Sequence, residues 1–146
     1  MPPPIDVVNE TKLLGTIITS DLKWDSNTNN IVKRANARMS LLRQLSKFKP
    51  KLEDMKIIYI SYIRSILEQS CQVWHFSLTK ENSEDLERVQ KNALKIVLGN
   101  KYIDYESSLN ELNLQTLYVG RESLCLQFAQ NTLKIARQQI YFLKIK

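Results

Sequence analysis

The chain has 146 residues, 43% of them apolar, with three glycines, four prolines, two cysteines, one histidine and a net charge of +6. That length suits one domain able to bury about two-thirds of its unfolded surface, and the apolar fraction is that of a folded protein rather than a disordered one. So few glycines leave no room for a glycine-rich phosphate loop, and two distant cysteines beside a lone histidine argue against a disulfide framework or a zinc cluster and for a reducing compartment.

The opening "MPPPIDVVNE" has neither a basic region nor an apolar core, so it does not read as a signal peptide. No run of 18 apolar residues occurs, and even "IIYISYI" stops at Arg64. The expectation is a soluble, intracellular chain without membrane contact, and not a secreted one.

In chain order, residues 1–10 form a proline-rich segment. Residues 11–26 contain "LLGTIIT", β-branched and apolar and followed by the turn signal "TSD", which predicts a strand or short hairpin. An isolated hairpin is marginal in water, so it must lean on helices or on a larger sheet. From about Asn27 the period changes: Ile31, Ala35, Met39, Leu42 and Leu45 make one helical stripe, with Asn27 or Thr28 as cap and Pro50 as stop. A second helix is expected from Leu52 to Trp74, apolar nearly all round and therefore central, with Arg64 and Glu68 pairing on its wet side. A third starts near Asn82 or Ser83 and ends before Gly99. A short helix over Tyr105–Leu112 and a longer one from Thr116 complete residues 27–136, and the tail 137–146 shows no clear period. The fold class is mainly α: a helical bundle preceded by a short β hairpin.

Charge is concentrated. Residues 1–25 carry −2, residues 26–52 carry +7, residues 53–100 carry −1 and residues 101–146 carry +2. The stretch Ile31–Lys51 holds Lys33, Arg34, Arg38, Arg43, Lys47, Lys49 and Lys51, a third of all cations, and no acid. At 100° per residue Lys33, Arg43 and Lys47 fall opposite the apolar stripe, whereas Arg34 and Arg38 fall at its edge.

Catalytic signals are missing. His75 lies between Trp74 and Phe76 and reads as structural, and no His-Glu-x-x-His, Gly-x-Ser-x-Gly or Cys-x-x-Cys occurs. The acids Glu81, Glu84, Asp85 and Glu87 sit at a helix start, where the dipole accounts for them. Cys71, on an apolar helix, reads as packing. No catalytic and no metal-binding residue is assigned, so the chain is expected not to be an enzyme by itself.

"LLGTIITSDLKW", "IVKRANARMSLLRQL", "YISYIRSILEQSCQVWH", "LERVQKNALKIVLG" and "YESSLNELNLQTLYVGRESLCLQFA", in that order, resemble the end of the reverse transcriptase region in non-LTR retrotransposons of the jockey type. In "LLGTIITSDLKW", Leu14, Gly15, Ile18, Leu22 and Trp24 match that family's strand-turn pattern, while Thr19 stands at its usual Asp and Asn27 at its frequent His. "IVKRANARMSLLRQL" resembles the first thumb helix through Lys33, Ala35, Arg38, Leu41, Leu42 and Arg43. "YISYIRSILEQSCQVWH" follows the next motif at Tyr59, Ser61, Ile63, Leu67, Glu68 and Trp74, with Gln69 at a usual Tyr. "LERVQKNALKIVLG" is the most specific piece, matching at Leu86, Glu87, Val89, Gln90, Ala93, Leu94 and Gly99. Tyr105, Leu109, Leu112, Leu114, Leu117 and Arg121 continue the register; Gly120 stands where the family tends to have an arginine. The likeness covers residues 11 to about 134 and stops near Arg137.

The resemblance implies the thumb and C-terminal region of an RNA-directed DNA polymerase. It implies no cofactor in this chain, since the family's Mg²⁺ is held by palm carboxylates in a Tyr-x-Asp-Asp sequence that does not occur here. It implies an RNA–DNA hybrid or other nucleic acid as partner, contacted by Lys33, Arg34, Arg38, Arg43 and Lys47, with palm and fingers supplied from elsewhere. The family's usual route leads to a nucleus. Two other readings stay open: a helical protein-interaction module docking through the apolar hairpin, and a decayed reading frame without activity.

Overall fold

In this computed structural model, which describes Met1 and residues 5–144, the chain begins with an antiparallel hairpin of β1 (Glu10–Leu13) and β2 (Thr16–Thr19). Pro2, Pro3 and Pro4 lie outside the described residues. Leu13 pairs with Thr16, so Leu14 and Gly15 form a two-residue turn, and both take the positive φ that such a turn requires, 49° and 86°. Helices follow: α1 (Asp25–Ser46), α2 (Leu52–Tyr59), α3 (Ser65–Leu67), α4 (Cys71–Trp74), α5 (Lys80–Leu98), α6 (Tyr105–Glu111) and α7 (Leu117–Lys144). The architecture is mainly α with an N-terminal hairpin, as the periodicities predict.

Helix α1 starts earlier than expected, at Asp25, and Asn27 and Thr28 are buried inside it instead of capping it. Asn27 serves the hairpin: its Oδ1 accepts the Ile17 amide at 3.0 Å. Gln69 makes the second tie, donating from Nε2 to Leu14 O at 3.3 Å while its Oε1 accepts from Arg34 Nη1 at 3.1 Å. Thr19 closes the turn after β2 by donating to Asp21 Oδ1 and Lys23 O. The hairpin therefore leans on helices.

The predicted helix 52–74 is broken. α2 continues without interruption through a π-helical segment (Ile60–Arg64) into α3, then stops where Ser70 takes a left-handed φ of 55°, and α4 begins anew. The wider π turn buries two adjacent residues, Ile63 and Arg64. The segment is not buried all round, because Ile57, Ile60 and Tyr62 are exposed. The central helix is α5, which touches α1, α2, α6 and α7. Thr79 caps it by accepting the Asn82 amide at 3.1 Å, and Gly99, at φ 52°, ends it. Asp104 caps α6 through the Ser107 amide at 2.8 Å.

The core gathers Ile31, Ala35, Met39 and Leu42 of α1 with Tyr59, Ile63 and Leu67 and with Leu86, Val89, Ala93 and Leu94 of α5. Trp24 and Trp74 belong to it too, so neither ring is free to stack on a base. α7 runs unbroken across position 137, through residues where no period was evident.

Replacing Asn27 by Ala should leave the Ile17 N–H without its acceptor and cost about 1–3 kcal/mol. Hydrogen exchange would then be expected to speed up in residues 10–19 while the amides of α5 stay protected against everything but global opening.

Candidate nucleic-acid interface

The cations of α1 divide into two groups. Lys33, Arg43 and Lys47 are exposed along the outer face, as are Lys49 and Lys51 beyond the helix end. From Lys33 to Lys47 the face extends about 21 Å along the axis. Arg34 and Arg38, the two at the stripe's edge, are half-buried and bound within the molecule. Arg34 holds Gln69; Arg38 donates from Nη1 to Tyr62 O at 2.9 Å and stacks 4.4 Å from the centroid of the Tyr62 ring. Each uses one donor nitrogen this way, which leaves the rest of the fork available, but their first role is to fasten α1 to the segment after α2.

Among the described residues none of these seven cations is paired with a carboxylate. The ion pairs lie elsewhere: Lys23–Asp21, Lys56–Glu53, Arg64–Glu68, Lys80–Glu84 and Arg88–Asp85. An unpaired row of this kind raises the local positive potential and attracts a polyanion.

The most specific sequence motif, "LERVQ", has a different use. Glu87 is not at the end of its own helix; it lies in the second turn of α5 and faces the start of α7. Both carboxylate oxygens accept the Leu117 amide, each at 3.1 Å, and Tyr105 donates its hydroxyl to Oε1. A carboxylate at a helix N-terminus is favoured by the dipole and by orphan N–H groups, here those of another helix. Gln90, one turn on, donates to the Tyr105 hydroxyl at 2.7 Å and to Gln115 O at 3.1 Å, and its Oε1 accepts from Tyr59 at 2.5 Å. Burial holds the Tyr59 phenol well above its usual pKa, so it is a neutral donor. Arg64 also reaches Gln115 O, at 3.2 Å, and pairs with Glu68 at 2.8 Å. That ion pair was expected on a wet surface, but Arg64 is buried. It lies against Gly120, where a Cβ would collide with Arg64 Nη2 and Glu68 Oε1.

Arg121 is also inside. Its Nε donates to His75 Nδ1 at 3.2 Å and its Nη2 to Ser83 Oγ at 3.3 Å, and among the described residues no carboxylate lies within ion-pair distance. His75 is therefore structural, and since Nδ1 accepts, Nε2 carries its proton. Burial, then the Arg121 charge, lower the His75 pKa. Cys71 and Cys125, distant in sequence, meet beside this cluster: Cys125 Sγ lies 3.6 Å from Cys71 O. Burial pushes the Cys71 thiol up to about 12, which makes it inert at neutral pH.

Among the described residues no three His, Cys, Asp or Glu side chains gather to hold a metal ion. Among them no helix is long and apolar enough to cross a membrane. Compared with known protein families, characterised proteins and solved structures, the chain matches none.

Gln90→Leu keeps roughly the volume of the side chain but leaves the buried Tyr59 hydroxyl without its acceptor, and a loss of about 1–3 kcal/mol is expected. Urea unfolding should report it as a lower midpoint at an unchanged slope. His75 gives a pH dependence. Its folded pKa lies below the unfolded 6.5, so the unfolded chain binds the extra proton. Its contribution is complete above about pH 6.5 and is lost as pH falls towards the folded value. Between pH 7.5 and 5.5 the melting temperature should drop more in the wild type than in His75→Asn, as measured by circular dichroism.

Proposed function

We propose that this domain binds nucleic-acid duplex along the outer face of α1, as the thumb-like part of an RNA-directed DNA polymerase of the non-LTR retrotransposon type, acting beside a catalytic palm. The observation that carries the reading is the acid-free, unpaired row of Lys33, Arg43 and Lys47, with Lys49 and Lys51 continuing it and Arg34 and Arg38 beside it. Contact with phosphates through such a row is strong at low salt and indifferent to sequence. An RNA–DNA hybrid, near A-form, offers a wide shallow groove and accessible backbone to a helix of this kind.

Two further observations support it. Among the described residues β1 is an open edge, and Leu13 at its end and Leu14 in the turn beside it are exposed, which suits continuation into the sheet of a neighbouring domain. The departures from the resembled family, Thr19, Asn27 and Gln69, each make hydrogen bonds that hold the hairpin, which counts against a decayed chain.

The test is fluorescence anisotropy of a labelled RNA–DNA hybrid across a salt series. Three or four phosphate contacts predict a log–log slope of roughly −3 to −4. Lys33→Ala/Arg43→Ala/Lys47→Ala should weaken binding and flatten that slope with melting unchanged, because all three side chains are exposed. Wild-type binding that is weak and insensitive to salt, and identical in the triple variant, would remove the proposal.

A further inference from the structure

Beyond Cys125 the residues of α7 are exposed where described, and they carry a seam of their own. Val119, Leu126, Leu133 and Ile140 recur every seven residues and are 41, 55, 58 and 54% exposed. Three residues after Leu126 and Leu133 come Ala129 and Ala136, both exposed. In heptad terms large aliphatics occupy one seam position and alanines the other, the arrangement of a helix that packs lengthwise on a partner, while Phe128 and Ile135, also exposed, continue the line of Leu117, Arg121 and Cys125 instead. The line is not the one by which α7 packs on its own bundle: Leu117, Arg121 and Cys125 are buried on another side.

We propose that this seam pairs with the same seam of a second copy of the chain, antiparallel and two-fold symmetric. An antiparallel register seats Leu126 on Ala136 of the second copy and Leu133 on its Ala129, so that each bulky side chain meets a small one and the backbones approach closely. Charge chooses the direction. Glu122, the one acid of α7, falls in the alanine position of the preceding heptad, and Arg137 flanks the seam near the far end. In the same register Glu122 lands beside Ile140 and Arg137 of the second copy, at both ends of the pair. A parallel pair would instead stack Glu122 on Glu122 and Arg137 on Arg137. Such an isologous contact satisfies both chains with one patch and leaves nothing open for further growth. The aliphatic contacts of the seam do not depend on salt, and salt screens the repulsion between two copies that each carry +6.

Sedimentation equilibrium of the full chain, over a wide concentration range at about 0.5 M salt where the Debye length is only several ångström, tests this. A monomer–dimer equilibrium is expected. Leu126→Lys/Leu133→Lys should raise the dissociation constant by about tenfold or more, while circular dichroism of the dilute monomer stays that of the wild type because both side chains are more than half exposed. In a second series at about 0.05 M salt, where charge pairs are little screened, Glu122→Arg and Arg137→Glu should each weaken the dimer, and the double exchange should restore it. A chain that stays monomeric at every concentration, whatever else α7 then bound, would overturn the proposal. So would a dimer indifferent to Leu126 and Leu133, or one that the charge exchange fails to restore.

Discussion

A carboxylate partly withdrawn from water must recover its lost hydration from its surroundings, and the half-buried Glu87 does so by closing the start of α7. That requirement organises the C-terminal half of the molecule. The carboxylate needs an N–H donor, and α7 supplies it only if Leu117 stands over the second turn of α5. Gln90 then completes the arrangement by joining Tyr59 of α2, Tyr105 of α6 and the Gln115 carbonyl. Four helices meet at one polar node, each fixed by hydrogen bonds whose geometry tolerates little displacement. Apolar packing alone would accept several orientations of α7; satisfaction of buried polar atoms accepts one.

The node also explains what is left outside. Glu68 and Glu87 are held inward, and Asp85 is paired with Arg88 on α5. Among the described residues no carboxylate pairs with the cations of α1, so their charge faces water. Of those cations the fold takes a share from Arg34 and Arg38, which secure α1 to Gln69 and Tyr62. The outer row of Lys33, Arg43 and Lys47 carries no such duty. The two proposed surfaces thus differ in physical kind: one is a row of unpaired charge on a helix anchored at both sides, the other an apolar seam on a helix anchored at one end.

Much of this was legible before any coordinates. The α1 and α5 stripes, the stop at Pro50 and the cap at Gly99 rest on neighbours within a turn or two, and such signals survive in the string of residues. The pairing of Arg64 with Glu68 follows from a spacing of four, yet its burial does not, because nothing local reports that Gly120 will lie across it. The break at Ser70 was invisible for a related reason. The residues on both sides are equally apolar, and the turn is fastened by Gln69 reaching a hairpin more than fifty residues away. The same holds for Arg121, whose place in the sequence pattern gives no sign that its side chain is enclosed with His75 and Ser83.

The sequence by itself determined the class of the fold, the existence and phase of the main helices, and the concentration of positive charge in residues 31–51, since each of these depends on composition and short-range period. Only the tertiary structure decided which charges are free, which acid caps which helix, and that Cys71 and Cys125 are neighbours. Those outcomes depend on contacts between residues 30 to 55 positions apart, where a side chain's role is set by the desolvation and hydrogen bonding that other segments impose on it.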